Sequence, residues 1–323
     1  MGKITDWDNH VSRRLRLRDL RIFFAAVQSG SMAKAAENLG VSQPAISQVI
    51  ADLEFALGVR LLDRSRRGVE PTIYGRALLK RGLVIFDELK QSVRDIEFLS
   101  DPTSGELRIG CPESIAASVL SQVILRFSKN HPRVVVYVND VPSPAIRDPG
   151  LRDRSYDLVI ARLRLPLATD QATDDLNIEP LFDDPLVIAA GPNNPWARRR
   201  KINLAELIDE PWILSGSDTW VHACMAEAFQ ARRLPVPKTN VVTLSLNIRT
   251  DMLANGPFIT ALPRSLVQRY SVKALPVDLP VRPWPVAIIT LKNRTLSPVV
   301  ERFIECAREV ATSMGKKSQA RKL

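Results

Sequence analysis

A chain of 323 residues has room for two or three domains, each with a core of its own. Forty-five lysines and arginines against 35 aspartates and glutamates leave a formal charge of +10, which suits a polyanionic partner without specifying a fold. No apolar run approaches the ~20 residues that a membrane span needs, and the first residues, MGKITDWDNHVSRRLRL, mix both charges around no apolar centre, so they do not read as a secretory signal.

Cys111, Cys224 and Cys306 lie far apart and are odd in number, and they read as reduced, packed thiols of a cytoplasmic protein. His10, His131 and His222 are equally scattered. With no Cys/His pair at ligand spacing, neither a metal nor another cofactor is expected. Asn293-Arg294-Thr295 matches the glycosylation sequon, but without a secretion route it carries no weight.

Along the chain, Leu17, Leu20, Phe24 and Val27 recur at helical spacing, with Phe23 widening the stripe, and predict a helix from Arg16 to Gln28. Ser29-Gly30 breaks it. Ser31 caps a short helix over Met32–Leu39, and Gly40 ends that helix. Ser42 caps a third, with Pro44 tolerated in its first turn; Ile46, Val49, Ile50, Leu53 and Leu57 form its apolar face, and Gly58 stops it. Two short helices joined by a glycine-containing turn behind a supporting helix make a helix-turn-helix.

The polar face of the third helix carries Gln43, Ser47 and Gln48, short side chains suited to base edges in a major groove. Ser31, Lys34 and Ser42 stand at or near helix N-termini, where backbone N–H groups and positive charge meet phosphate. From Val59 to Thr72 two β-compatible pieces flank a basic tip, which predicts a hairpin wing. Its Arg64, Arg66 and Arg67 suit phosphates or the minor groove; read by itself, such a run is a solvated face.

From Thr72 to Leu99 one long helix follows. Leu79, Leu83, Phe86, Leu89, Val93 and Ile96 are spaced 4, 3, 3, 4 and 3, close to a coiled-coil seam, and predict a partner helix from a second copy. The alternative is packing of that stripe on the chain's own core. Asp101-Pro102-Thr103-Ser104-Gly105 then forms a hinge.

The segments Ser31-Met32-Ala33-Lys34-Ala35-Ala36, Leu39-Gly40-Val41-Ser42-Gln43-Pro44-Ala45-Ile46-Ser47, Leu53-Glu54, Leu57-Gly58, Leu61-Leu62-Asp63-Arg64 and Thr72-x-x-Gly75 together closely resemble the N-terminal signature of LysR-type transcriptional regulators. The match runs without a gap over about residues 15–80. Met32, Lys34 and Leu62 depart mildly from the usual Phe, Arg and Phe, and Lys34 keeps the charge while losing the bidentate geometry of arginine. The resemblance places Pro44 among the DNA-facing positions with Gln43 and Ser47. It implies a partner in promoter or operator duplex DNA, a homodimer or homotetramer, and no membrane, and it leaves RNA polymerase open as a further partner.

Beyond Gly105, apolar runs alternate with helical ones. Leu107–Gly110, Val134–Val138, Asp157–Ala161, Pro185–Ala190, Trp212–Leu214, Phe258–Leu262 and Pro285–Ile289 read as strands, and Ile115–Lys129, Trp220–Ala231 and Pro298–Thr312 as helices. Near-continuous apolar strands alternating with helices indicate parallel α/β sheets, which bind ligands beyond the carboxyl ends of their strands.

In the resembled family this region is similar to periplasmic binding proteins, two α/β lobes with an effector between them. The expected organisation is therefore α/β overall: an all-α winged helix-turn-helix over 1–72, a linker and dimerisation helix with hinge over 73–104, and an effector domain over 105–315. Within that domain the first lobe takes 105–162 and 265–310 and the second 163–264; 316–323 is a polar tail. Asn255-Gly256-Pro257-Phe258 stands where the family commonly has Gly-x-Gly.

Pro112-Glu113-Ser114 and Ser215-Gly216-Ser217-Asp218-Thr219 each follow a strand and precede a helix. They make Glu113, Ser114, Ser217 and Asp218 candidate effector contacts, with helix capping as the competing role. Asn247 and Arg249 resemble a third cleft-facing stretch, Arg249 suiting an anionic effector, with a surface ion pair as its competing role; the effector expected overall is an anionic or polyhydroxylated small molecule.

Two other classes fit the sequence less well. Ser31-Met32-Ala33-Lys34 fits the S-x-x-K nucleophile motif, but its companion motifs occur in reversed order and lack a glycine, and capping explains Ser31. A DNA organiser without a ligand would not need two hundred residues of α/β domain. No enzyme is expected.

Overall fold

The computed structural model describes residues 15–65, 68–141, 145–165 and 173–320. It divides into two compact units, the first ending at Lys90 and the second beginning at Gln91. The first unit opens with three helices, α1 (Leu17–Ser29), α2 (Met32–Leu39) and α3 (Gln43–Leu57). Gly30, Gly40 and Gly58 end them in the left-handed conformation. Ser31 Oγ accepts from the Lys34 backbone N–H at 3.5 Å and Ser42 Oγ from that of Ala45 at 3.4 Å, so both serines cap as expected. The apolar faces meet in one core in which Phe23, Ile46, Ile50 and Leu53 are fully buried.

The wing is an antiparallel hairpin of β1 (Leu62–Ser65) and β2 (Gly68–Pro71), in register from Leu62 with Pro71 to Ser65 with Gly68. The expected tip residues Arg66 and Arg67, like His10, lie outside the described residues. Glu54, near the end of α3, accepts through Oε1 from the backbone N–H groups of Leu61 (2.7 Å) and Leu62 (3.1 Å), which fixes the wing to the helix. Gly68 has φ 125°, and a Cβ there would lie 2.4 Å from the Gly30 carbonyl oxygen. The hairpin thus presses against the turn between α1 and α2, where Val69 N–H also donates to Gly30 O at 2.9 Å.

The long helix α4 (Ile73–Ser100) follows. Its expected single seam is two. Leu79, Leu83 and Phe86 pack on the first unit's own core, Phe86 meeting Phe24 edge-on with ring centroids 5.5 Å apart. Leu89, Val93 and Ile96 stay exposed, in line with Ile85 and Leu99. The competing reading of own-chain packing therefore holds for the first half of the stripe only.

The second unit begins with β3 (Ser104–Cys111). A helical stretch over Glu113–Ile115 widens into a π-turn at Ala116–Leu120 and continues as α5 (Ser121–Asn130). Then come β4 (Arg133–Asp140), β5 (Leu158–Arg162), β6 (Leu176–Asp183), β7 (Leu186–Ala190), β8 (Trp212–Leu214), α6 (Trp220–Ala231), β9 (Thr239–Val242), α7 (Leu246–Asn255) and β10 (Ile259–Pro263). The short α8 (Arg264–Val267), β11 (Lys273–Ala274), β12 (Pro285–Leu291) and α9 (Pro298–Ala320) complete the order.

The strands form two five-stranded sheets, ordered β4-β3-β5-β12-β6 and β11-β7-β10-β8-β9. The first packs on α5 and α9 around Leu107, Ile109, Phe127 and Phe303, the second on α6 around Trp212, Phe229 and Ile259.

Two expectations change here. The sheets are mixed rather than parallel: β3 pairs parallel with β4 and β5, while β12 runs antiparallel to β5 and β6, and β7 antiparallel to β10. Strands that enter or return at a lobe crossover arrive from the opposite end. The lobe limits expected after 162 and 264 also move. β6 pairs with β12 from Leu176–Leu291 to Pro285–Asp183 and so belongs to the first lobe, while β11 lies on β7 in the second. The first crossover is therefore at Asp184-Pro185 and the second runs over 278–284.

Candidate functional site

On the first unit, Gln43, Pro44 and Gln48 are exposed along one side of α3 and Ser47 is half-buried beside them. Gln48 Nε2 donates to Asp52 Oδ1 at 2.9 Å, one turn on, which orients its amide along the helix surface. Lys34, Ser42 and Arg64 are exposed and Ser31 half-buried. A short helix with a polar outer face, held against a core by an apolar inner face, has the form of a groove-reading helix. That form stands here beside the hairpin that carries Arg64.

On the second unit, a cavity of about 340 Å³ lies between the lobes. The first lobe lines it with Glu113, Ser114, Asp140 and Arg162, the second with Ser215, Thr219, Trp220, Ser245 and Arg249. Arg162, the last residue of β5, is buried. It donates from Nη1 to Ser114 Oγ at 3.2 Å, pairs through Nη2 with Asp184 at the first crossover, and lies 5.2 Å from the centroid of the Trp220 ring. Among the described residues its Nε has no hydrogen-bond partner, and it is shut off from solvent.

Arg249 is buried as well, and Nε and Nη2 both donate to the Thr243 carbonyl, at 3.2 and 2.6 Å. Burial lowers its pKa to about 10, opposed by the charge of Glu113, so it stays protonated at neutral pH. Glu113 reaches across the cleft, its carboxylate accepting from the Leu246 N–H at the start of α7 at 3.2 Å.

Glu113, Ser114 and Arg249, three of the candidates, thus line the cavity. Ser217, Asp218 and Asn247 do not: all three are exposed and none lines it. The loop before α6 turns so that Thr219, not Ser217, caps the helix by accepting from His222 N–H at 3.3 Å. Thr219 Oγ1 lies 2.6 Å from Ser215 Oγ, and these two hydroxyls face inward while the residues between them face solvent. Asn247 sits on the outer side of α7, whose cap is Ser245.

Arg162 escaped the sequence reading. Its signal was a charged residue closing the otherwise apolar run Leu158–Ala161.

A winged helix-turn-helix followed by two α/β lobes around a cleft defines a transcription regulator with a substrate-binding domain. Residues 17–76 match the family described as bacterial regulatory helix-turn-helix protein, lysR family, and residues 100–312 match the LysR substrate binding domain. The chain belongs to the LysR family of transcriptional regulators, which are DNA-binding proteins and not enzymes.

It is 30% identical over 290 residues to the HTH-type transcriptional regulator GbpR of Azospirillum brasilense, covering 88% of this chain and 83% of that one. It is 27% identical over 305 residues to the HTH-type transcriptional regulator TdcA of Escherichia coli, covering 93% and 95%. Among solved structures, full-length OxyR from Pseudomonas aeruginosa superposes with a TM-score of 0.63 at 24% identity, over 92% of this chain and 94% of that one. Full-length CbnR in complex with its target DNA superposes with 0.53 at 22%, over 92% and 100%. Among the described residues no helix is long and apolar enough to cross a membrane.

Proposed function

We propose that this regulator reads duplex DNA through α3 and that a small molecule held between the two lobes sets its grip on that DNA. The observation that carries the second half is the cavity itself, within the ~300–1,000 Å³ typical of small-molecule sites. In the DNA-facing half, Gln43, Ser47 and Gln48 address base edges, while Ser31, Lys34, Ser42 and Arg64, with Arg66 and Arg67, address phosphates or the minor groove.

The exposed stripe Ile85, Leu89, Val93, Ile96 and Leu99 serves a second copy of the chain. A two-fold dimer then presents two reading helices to a two-fold DNA site, and two dimers make a tetramer. A ligand changes the DNA complex only by preferring one arrangement of the lobes over another.

Selection from a random duplex library tests the first half. Enrichment of sites with two-fold symmetry is expected, and failure to enrich any sequence at low ionic strength overturns it. Footprinting of the selected site across a metabolite library tests the second half. A footprint that no compound alters, with no compound raising the melting temperature, removes the effector.

A further inference from the structure

The last turns of α4 are held to the first lobe at two places of different character. One is a pivot. Phe98 packs on the core that contains Leu107 and Phe303, and Asp101 in the turn after it pairs with Arg133, the first residue of β4, at 2.7 Å. Thr103 Oγ1 accepts from Arg133 Nε at 3.1 Å, so the turn read from the sequence as a hinge is itself fastened to the sheet. The other place lies one turn before Phe98. There Arg94 Nη1 donates at 2.9 Å to Oδ1 of Asp157, just ahead of β5. Held at both places, a straight helix has its direction fixed; held at the pivot alone, it swings.

The Arg94 contact is also the one that the lobe can lose. Asp157 is 3% exposed, and Arg294, 2% exposed, donates from Nη2 to the same Oδ1 at 3.1 Å. The Arg108 N–H reaches Oδ2 at 2.8 Å. Departure of Arg94 therefore leaves the buried carboxylate neutralised, whereas breaking an isolated buried pair strands a charge. Arg94 Nη2 and Asp95 Oδ1 are shut off from solvent and have no hydrogen-bond partner among the described residues. Water reaching both when this turn lifts offsets part of the lost ion pair.

We propose that Arg94 is a releasable latch on the direction of α4. Closed, it makes the turns that carry exposed Val93, Ile96 and Leu99 move with the first lobe. Open, α4 swings about Phe98 and Asp101, and those three side chains face elsewhere. Asp157 and Arg162 bracket the apolar run of β5, so a single strand joins the latch to the wall of the cleft. What the latch does to DNA binding rests on the reading of the stripe as the surface for a second copy; the latch itself does not.

The test measures the direction of the helix within one copy of the full chain. Nitroxides are placed at Ser92→Cys and Lys129→Cys in a chain that also carries Cys306→Ser, Cys111 and Cys224 being buried. Double electron–electron resonance is recorded with the labelled chain diluted into excess unlabelled chain. One narrow distance is expected with Arg94 present and a broad or doubled distribution in Arg94→Ala. Arg94→Lys should narrow it again, because its ammonium can remake the one bond to Asp157. The melting temperature of Arg94→Ala should fall by no more than ~3 °C. That of Arg294→Ala should fall further, since Arg294 also donates to the Tyr156 carbonyl. A narrow distance in Arg94→Ala, or a broad one with Arg94 in place, overturns the latch. So does a melting loss in Arg94→Ala as large as that in Arg294→Ala, which makes Arg94 a structural partner only. A chain that sediments as a monomer removes the stripe reading, and the distances still decide the latch.

Discussion

On the proposed reading, Gln43 and Ser47 of α3 discriminate sequence while Arg64 of the wing only holds the duplex, and the division is measurable. Gln43→Ala or Ser47→Ala should cost ~1–3 kcal/mol on a cognate site if the lost contact is bidentate, and little on random DNA. Arg64→Ala should weaken both alike and lower the salt slope by about one. Equal behaviour of the two classes in a fluorescence titration would refute the assignment.

The cysteines make a second residue-scale case. Burial pushes the Cys111 and Cys224 thiols up to about 12 from an ordinary 9.0, helped by the charges of Asp140 and Glu227 respectively, and burial also raises Cys306. A folded-state pKa above the unfolded one means the native chain keeps protons that the unfolded chain releases. Stability from these thiols is therefore intact below pH ~9 and lost as pH climbs toward 12. Urea midpoints measured between those values should fall, and a thiol reagent at pH 8 should reach half-buried Cys306 well before the other two.

At the scale of elements, what the sequence showed was whatever leaves a local mark. Three helix ends were legible because glycine tolerates left-handed backbone and serine offers a capping oxygen, and both marks are single residues. β6 was invisible because an edge strand with one wet face and Pro180 in it has no continuous apolar run. The π-turn at Ala116–Leu120 leaves no compositional trace at all.

The seam of α4 shows a subtler limit. Spacing reports that a stripe is apolar, not what covers it, and here the first half packs on the chain's own core while the second half stays exposed. Leu89→Asp with Ile96→Asp should shift the chain from dimer to monomer in sedimentation equilibrium while leaving its melting temperature nearly unchanged. Phe86→Ala should do the reverse: the oligomer persists, and the first unit loses about 2 kcal/mol with its contact to Phe24. Glu54 joins elements in the same way. Glu54→Ala strands the N–H groups of Leu61 and Leu62 and should cost ~1–3 kcal/mol in urea denaturation, most of it recovered in Glu54→Gln, whose amide oxygen still accepts.

For the whole molecule, the decisive feature is that the two lobes are tied at one buried knot. Asp184 lies on the first crossover between β6 and β7. Its carboxylate pairs with Arg162 of the first lobe and accepts from the Ser265 N–H (3.0 Å) and Oγ (2.6 Å) in the second. Both charged side chains are about 2% exposed, so neither can turn to solvent if the other is lost. No sequence pattern announces this knot, because its members are 22 and 81 residues apart and each is ordinary in its own neighbourhood.

Removing one partner from such a pair leaves a buried uncompensated charge and costs ~3–5 kcal/mol. Asp184→Ala should therefore lower the transition of the second unit by about 10 °C in calorimetry. The first unit has its own core and should melt where it did before. Double replacement of Asp184 and Arg162 by Asn and Met should recover much of the loss, since it removes the orphaned charge along with the pair. A single transition displaced as a whole would show instead that the units unfold together. Recovery of stability without recovery of ligand-dependent DNA binding would assign the knot to transmission between cleft and crossover rather than to folding.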